Sequence, residues 1–387
     1  MADSKEQTLR KSKEALLPTE TLDKKFKTLA LLSDALDKSH TDKSLGRIVS
    51  GSLVRLGSKR VVRVPCIPTG LPTVDHEMLQ YGGIPRGRIV EVFGPESSGK
   101  TTTCLYIVAQ EQKLGGLAAY VDAEHKLEPT YAQALGVNLD DLLLNQPNSG
   151  EEALDTVDKL VESGCMSLII VDSAAALVPE AELAGEIGDA HMGLQARMLS
   201  QAIRRLVGKC YNTQTTIIFI NQIREKIGVM FGNPEVTPGG RALKFYSSLR
   251  ISITRPSAST SGALWEGTKD NIIGHQIDMR CVKNGGGIPF RRTQVNLIYP
   301  GNGRQAGFDR VDDTINFANK RNMFDVRGTW YWMNLGTSAA GPERVANGIE
   351  KFKEFLYSSP KAMEIVQKQI EALVKKEQET PVEVPSV

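Results

Sequence analysis

Ile89-Val-Glu-Val-Phe-Gly94-Pro-Glu-Ser-Ser-Gly-Lys100-Thr101 is the stretch on which the reading of the chain turns. Its first five residues form a short, β-rich apolar run. Gly94 to Thr101 match the spacing G-x-x-x-x-G-K-[ST], and Thr102 to Gln112 then carry helical periodicity. A buried strand that turns through glycines into a helix aims converging backbone N–H groups at one point, and the helix dipole favours an anion there. The stretch therefore reads as a phosphate loop for a nucleoside triphosphate. The Lys100 ammonium can reach the outer phosphates, and the Thr101 hydroxyl can ligate Mg²⁺.

Three further runs share this apolar, β-branched character: Ala118 to Val121, Leu168 to Val171, and Thr216 to Ile220. Each is continuous rather than alternating, as a strand covered on both faces should be. The segments between them, such as Glu151 to Glu162 and Leu194 to Val207, have helical spacing. Alternating strand and helix predicts an α/β fold with a parallel sheet and crossover connections. Leu249 to Thr254 and Gln294 to Tyr299 read as strands that extend the sheet. Beyond Gly303 the pattern changes to a small α+β lobe, with helices at Asp313 to Arg321, Pro342 to Tyr357 and Pro360 to Lys375, and a strand-like Gly328 to Leu335. The expected divisions are a Lys-rich arm over residues 1–60, a core over 61–302, the lobe over 303–374, and a Pro-rich disordered tail over 375–387.

Polar residues at the ends of these runs are the next candidates. Asp172 closes the run Leu168 to Val171, where an acid can serve the Mg²⁺ shell. Asp122, Glu124 and His125 follow Val121, and spacing alone leaves open which of them acts on the water that attacks the outermost phosphate. Asn221 and Gln222 end the fourth run, where a neutral amide can bind and release that phosphate as a switch.

A net charge of only +2 decides neither for nor against nucleic acid, so any binding surface must concentrate its cations locally. Arg197 and Arg204 lie seven residues apart in one helical pattern and so share a face. Arg224, Lys226 and Arg241 fall in neighbouring glycine-rich segments. No apolar run approaches the ~20 residues of a membrane span, and the polar start, Met1 to Leu16, is unlike a secretory leader. A cytoplasmic address and no membrane partner are the expectation. The five cysteines form no paired spacing and read as reduced core residues.

Gly94 to Thr101, Asp122-Ala-Glu-His125, Gly185-Glu-Ile-Gly-Asp189 with His191-Met-Gly193, Asn221-Gln-Ile-Arg224, and Lys226-Ile-Gly-Val-Met-Phe-Gly-Asn-Pro-Glu235 together resemble the RecA recombinase family. The resemblance is nearly continuous from about Gly51 to Arg255 and traceable to about Leu373. It implies a RecA-type P-loop ATPase core with a helix-strand arm for polymerisation and a C-terminal lobe. It implies a DNA-dependent ATPase that forms a helical filament of its own copies on single-stranded DNA, pairs it with homologous duplex DNA, and exchanges strands in repair. ATP and Mg²⁺ would be the cofactors. ATP would be held by Gly94, Pro95, Glu96, Ser97, Ser98, Gly99, Lys100, Thr101 and Thr102, with Glu128 and Tyr131 at the adenine. Glu124 would activate water, Asp172 and Thr101 would serve Mg²⁺, and Gln222 would sense the γ-phosphate. Residues 182–193 and 222–240 correspond to two DNA-binding loops, so Met192, Gly193, Arg197, Arg204, Arg224, Gly239, Gly240 and Arg241 would line the strand.

Departures from the family pattern carry expectations of their own. Where relatives commonly place two lysines one residue apart, to reach the neighbouring subunit's ATP, this chain has Lys283-Asn284-Gly285, which points to slower or less tightly coupled hydrolysis. Pro238 and Arg241 stand where smaller polar residues are common, and the added cation should steepen the salt dependence of DNA binding. Trp330-Tyr-Trp332 reads either as a base-stacking platform or as alternate positions facing a small core. Two other functions share parts of this pattern: a replicative hexameric helicase with the same core, and a filament that stimulates a repressor's self-cleavage.

Overall fold

The computed structural model describes residues 64–186, 193–225, 235–256, 262–265, 271–301, 305–335 and 341–379. The chain divides into two units, Met1–Val64 and Pro65–Val387, and the expected arm over residues 1–60 lies outside the described residues. The second unit opens with a short antiparallel pair, β1 (Cys66–Ile67) and β2 (Ile84–Pro85), flanking a π-helical turn at Thr73–Met78. Strand and helix then alternate. β3 (Ile89–Gly94) feeds α1 (Lys100–Lys113), β4 (Ala118–Asp122) feeds the short α2 (Pro129–Ala134), and β5 (Leu142–Asn145) feeds α3 (Gly150–Glu162). β6 (Leu168–Asp172) precedes the one-turn α4 (Glu180–Leu183) and the long α5 (Leu194–Thr213), which leads to β7 (Thr216–Gln222). A two-residue pair, β8 (Arg224–Glu225) and β9 (Glu235–Val236), and a five-residue helix, α6 (Ala242–Tyr246), lead to β10 (Leu249–Thr254). β11 (Ala263–Trp265), β12 (Ile272–Asn284), β13 (Arg292–Ile298) and β14 (Gly307–Phe308) complete the sheet.

Its order is β14-β13-β12-β10-β3-β7-β6-β4-β5, with β11 on β12. The six strands from β5 to β10 are mutually parallel, as the alternation predicts, and β12 to β14 add an antiparallel wing. Continuous apolar strands are buried on both faces because each face has its own core. Leu168 and Ile170 of β6 pack with Cys104, Leu105 and Val108 of α1, whereas Ile169 and Val171 pack with Val157 of α3 and Ile203 of α5. Each fully buried Leu or Ile contributes about 1.5–3 kcal/mol, so the two layers lock the strand register. Ser149 caps α3 by accepting from Glu152 N, and acids Glu151 and Glu152 sit in its first turn.

Several elements differ from the sequence reading. β12 is the longest strand, yet it is not an apolar run: Ile277, Met279 and Cys281 face the core while Gln276, Asp278 and Arg280 alternate outward. The expected helix from Pro342 to Tyr357 is instead β17 (Glu343–Asn347) followed by α8 (Ile349–Ser358), counting the lobe's earlier α7 (Arg310–Lys320), β15 (Asp325–Arg327) and β16 (Trp330–Met333). Pairing of β17 with β16 overrides helical propensity, and Gly348, at φ +84°, makes the change of direction. The final helix, α9 (Pro360–Glu379), runs past Lys375, where the tail was expected to begin; residues 380–387 lie outside the described residues. In β16 it is Tyr331 and Met333 that enter the lobe's core, while Trp330 and Trp332 are half-buried on the other face beneath Arg344 and Arg327, at 4.1 and 4.7 Å. No disulfide joins the cysteines, and Cys165 is exposed rather than buried. Among the described residues no helix is long and apolar enough to cross a membrane.

One buried carboxyl, Asp313, ties the π-helical turn to the lobe's first helix, and a second, Asp75, ties the turn to the segment before it. Asp313 of α7 accepts from Thr73 N at 3.0 Å and from the Thr73 hydroxyl, while Asp75 accepts from Thr69 N, the Thr69 hydroxyl and Gly70 N. Burial pushes Asp75 up to about 7 and Asp313 up to about 6, and the charge of Asp313 raises Asp75 further. A carboxyl raised in the folded state binds its proton more tightly there than in the unfolded chain. It therefore adds stability below the unfolded value near 3.8, and that contribution is lost as pH rises through the folded value. These two groups should therefore lower the melting temperature as pH rises from about 4 to about 7, the span between their unfolded and folded values. Asp313→Asn should flatten that slope in thermal melts across the range.

Candidate functional site

The phosphate loop spans the turn between β3 and α1, and its geometry explains both flanking glycines. A Cβ on Gly94 would stand 2.0 Å from Ile253 O, because β10 runs directly beside it. Gly99 has φ +95° and caps α1 in the left-handed region, with Ile277 Cδ1 only 2.7 Å from where a Cβ would be. The loop's exposed crown is Pro95, Glu96 and Ser97, and Ser98 and Lys100 are buried beneath it. Lys100 Nζ donates to Pro95 O at 2.6 Å. Burial holds its pKa below the usual lysine value, against the pull of Asp172 and Glu124.

Strand order brings the other candidates to the same edge. β6 lies between β4 and β7, and β3 follows β7, with Asp122 opposite Asp172 and Gly94 opposite Gln222. Thr101 Oγ1 donates to Asp172 Oδ2 at 2.8 Å, so the two oxygens expected at Mg²⁺ converge beside Lys100. The same Oδ2 accepts from the buried Tyr120 hydroxyl at 2.6 Å. Burial raises the Asp172 carboxyl while the hydrogen bonds from Tyr120 and Thr101 oppose it. Oxygen donors from a helix start and a strand end suit a hard cation that keeps part of its water shell.

Asp122, Glu124 and His125 are separated by their surroundings. Asp122 is buried and accepts from Lys126 N, Leu127 N and Gln146 Nε2, which commits it to shaping the turn. His125 is exposed, at φ +54°. Glu124 turns inward: its Oε1 accepts from Ser173 Oγ and from Gln222 Nε2 at 2.9 Å, and Lys126 Nζ lies 3.1 Å from its Oε2. Burial pushes the Glu124 carboxyl up, but the hydrogen bonds from Ser173, Lys126 and Gln222 outweigh it and hold the group below the usual range. It is therefore ionised at neutral pH and able to accept a proton.

A cavity of about 240 Å³ opens above the loop, walled by Ser97 to Thr102, Tyr131, Arg255, His275, Leu297 and Tyr299. The Tyr131 hydroxyl is 2.8 Å from Thr102 Oγ1. Glu128 is exposed, accepts from Thr130 Oγ1, and is not part of this wall. Arg255, His275, Tyr299, Tyr120 and Ser173 were not among the sequence candidates. Tyr120 and Ser173 are adjacent to motif residues in sequence. Of the other three, His275 arrives on β12, and Arg255 and Tyr299 stand one residue past the ends of β10 and β13, where no local pattern marks them.

The candidates for a polynucleotide surface are partly described. Met192 and Lys226 lie outside the described residues, with the rest of 187–192 in the first loop segment and of 226–234 in the second. Arg197 and Arg204 are exposed on α5, and neither has a carboxylate partner among the described residues, whereas Arg205 and Lys209 are tied to Asp158. Arg224 and Arg241 are exposed. Gly193 caps α5 at φ +78°. Gly239 and Gly240 have φ of +82° and +76°, and their missing side chains let this segment press on α5: a Cβ would stand 2.5 Å from Leu199 Cδ1 and 2.9 Å from Ala196 Cβ. Asn221, next to Gln222, donates to Pro238 O at 3.2 Å and to Glu91 Oε1 at 3.0 Å, and Glu91 is paired with the buried Arg250 at 2.5 Å. Lys283 stands apart from the cavity. Its Nζ donates to Lys244 O and Phe245 O, at the carboxyl end of α6.

Residues 31–304 match the profile of the RecA N-terminal domain. Over 340 residues, 87% of this chain and 84% of the relative, the sequence is 45% identical to Protein RecA of Levilactobacillus brevis. It is 47% identical over 322 residues to Protein RecA of Limosilactobacillus reuteri, covering 83% of each chain. It is 49% identical over 312 residues to Protein RecA 2 of Myxococcus xanthus, covering 80% of this chain and 82% of that one. A profile that takes in every strand from β3 to β13, and relatives matched over most of their own length, settle the ancestry of the phosphate loop and its carboxylates together: this chain belongs to the RecA family.

Proposed function

We propose that the protein is an ATP-dependent DNA recombinase of the cytoplasm, which polymerises on single-stranded DNA, pairs it with homologous duplex and exchanges strands. The observation that carries this reading is the hydrogen bond from Gln222 Nε2 to Glu124 Oε1. It joins a carboxylate at the phosphate loop to the residue from which the segment toward Gly239 and Gly240 departs. A hexameric helicase has no such support, since the relatives are each named Protein RecA.

In this mechanism residues 94–102 wrap the triphosphate, and Lys100 leaves Pro95 O for the phosphate oxygens. Thr101 and Asp172 hold Mg²⁺, which when bound neutralises charge on the outer phosphates. Tyr120 keeps Asp172 oriented through Oδ2. Tyr131 and Glu128 serve the adenine. Glu124, held ionised by Ser173 and Lys126, orients water and accepts its proton. Gln222 exchanges its bond to Glu124 for one to the γ-phosphate. Asn221 moves with it, and through Pro238 O the change reaches Gly239, Gly240 and Arg241. Arg197, Arg204, Arg224 and Arg241, with the backbone at Met192, Gly193, Gly239 and Gly240, grip the strand's phosphates. Such contacts carry little sequence information and leave homology to base pairing. Lys283 acts on the nucleotide of the neighbouring subunit. The arm over residues 1–60 joins one subunit of the core, residues 61–302, to the next, and the lobe begins at residue 303.

Joint-molecule formation between circular single strands and linear duplex tests the whole reading. It should require ATP and vanish in Lys100→Ala, and an oligonucleotide affinity indifferent to the adenine nucleotide supplied would refute it. Arg241→Asn should lower the slope of log affinity against log salt by about 0.7, the value for one phosphate contact on a single strand. A Cβ at Gly285 would stand 3.1 Å from Ser248 O, so a side chain fits there with a small shift. Gly285→Lys should raise DNA-stimulated ATP turnover severalfold in a steady-state assay.

A further inference from the structure

Two polar atoms on the cavity wall are buried with no hydrogen-bond partner among the described residues: Ser98 Oγ, in the phosphate loop, and His275 Nε2. The first belongs to the loop's own chemistry. The second lies far along the chain from that loop, on the antiparallel strand β12. His275 is 7% exposed, yet a buried polar atom without a partner is costly and rare in a folded protein. Such an atom in a ligand cavity calls for a partner that the ligand brings.

The other ring nitrogen is engaged. His275 Nδ1 lies 2.7 Å from the Tyr299 hydroxyl, and the two rings sit 5.4 Å apart at 45°. Burial, with the nearby Arg255 charge, holds the imidazole near 4, so it is neutral at neutral pH. A neutral imidazole has one donor and one acceptor nitrogen. The phenol is the better donor, so we assign its proton to the bond with Nδ1, which leaves the ring proton on Nε2. The wall therefore presents an N–H donor whose orientation is fixed from behind by Tyr299. Tyr131 approaches the same cavity from α2, with its own hydroxyl already at Thr102. The phosphates belong at Ser97 to Thr102, so the part of a nucleotide that meets His275 is the nucleoside.

We propose that His275 is a specificity residue for the nucleoside, donating from Nε2 to a hydrogen-bond acceptor on the base or sugar while Tyr299 holds the ring. This rests on the reading of the cavity as a nucleotide site. A donor in a fixed place favours nucleosides that offer an acceptor opposite it, and leaves an analogue lacking that acceptor with an unpaired group to bury.

Equilibrium binding by the full-length protein separates this role from a merely structural one. Asn in place of His can still bond Tyr299 but has nothing at the Nε2 position, whereas the Gln amide reaches that position. His275→Asn should weaken Mg·ATP binding about fivefold, the loss expected for one neutral hydrogen bond. His275→Gln should stay within about twofold of the parent by the same measure. Both variants should bind inorganic tripolyphosphate as the parent does, which also shows that they fold. Among ATP analogues that each lack one acceptor on base or sugar, one should bind parent and His275→Asn equally and so name the atom that is read. The proposal is overturned if His275→Asn binds Mg·ATP normally, if His275→Gln fails to restore it, or if tripolyphosphate affinity falls in step. If the parent binds neither ATP nor tripolyphosphate better than Lys100→Ala does, the nucleotide-site reading itself fails and takes this role with it.

Discussion

Everything at the site depends on the carboxyl ends of parallel strands being gathered on one edge of the sheet. A parallel pair needs a crossover that carries the chain back to its starting edge, so every strand from β4 to β7 ends where β3 ends. Residues 94–101, 122–124, 172–173 and 221–222 are far apart along the chain, and this rule alone makes them neighbours. Helices on both faces fix the register by burying alternate side chains in separate cores, and a one-residue slip of β6 would exchange Ile169 and Ile170 between them. Stability and chemistry are thus coupled: the packing that holds β6 also aims Asp172.

The edge is not a set of independent groups. Glu124, Gln222, Asn221, Glu91 and Arg250 form a chain of short polar contacts across the sheet, and Asn221 also reaches Pro238 O, just before the glycine pair. Glu91 and Arg250 are buried, and a buried pair broken by loss of one partner costs about 3–5 kcal/mol. In the proposed switch, a phosphate that drew Gln222 from Glu124 would act on a network whose Glu91–Arg250 end is held by burial and whose other branch runs from Asn221 to Pro238 O. The physical requirement for such a switch is one end able to exchange partners and the other held by burial.

The glycines at 239 and 240 and the pair of tryptophans show how the fold gives a residue surroundings that its sequence pattern does not specify. Gly239 and Gly240 read in sequence as places where a backbone approaches phosphates. In the fold their immediate neighbours are Leu199 and Ala196 of α5, and any side chain would collide with that helix. Close packing here sets where the segment lies relative to Arg197, which is a requirement prior to any contact with a ligand. Trp330 and Trp332 likewise alternate as a strand demands, but the side facing the lobe's core is occupied by Tyr331 and Met333. Periodicity reports that faces exist and not which of them is inward, because inward is defined by elements elsewhere in the chain.

By itself the sequence determined the phosphate loop, the four central strands and the helices between them. These depend on contiguous residues, whose apolar run, glycine spacing and cap chemistry act within one turn or one strand. It also placed a cluster of polar candidates after Val121, without choosing among Asp122, Glu124 and His125. Tertiary structure separates their surroundings, since only the approach of Ser173 and Gln222 from β6 and β7 distinguishes Glu124 from Asp122, which its own turn consumes. The same is true of Tyr120 on Asp172 and of His275 with Tyr299 on the cavity wall. A side chain's neighbours across a sheet are set by strand order and register, and these are fixed by burial summed over the whole domain rather than by any local pattern.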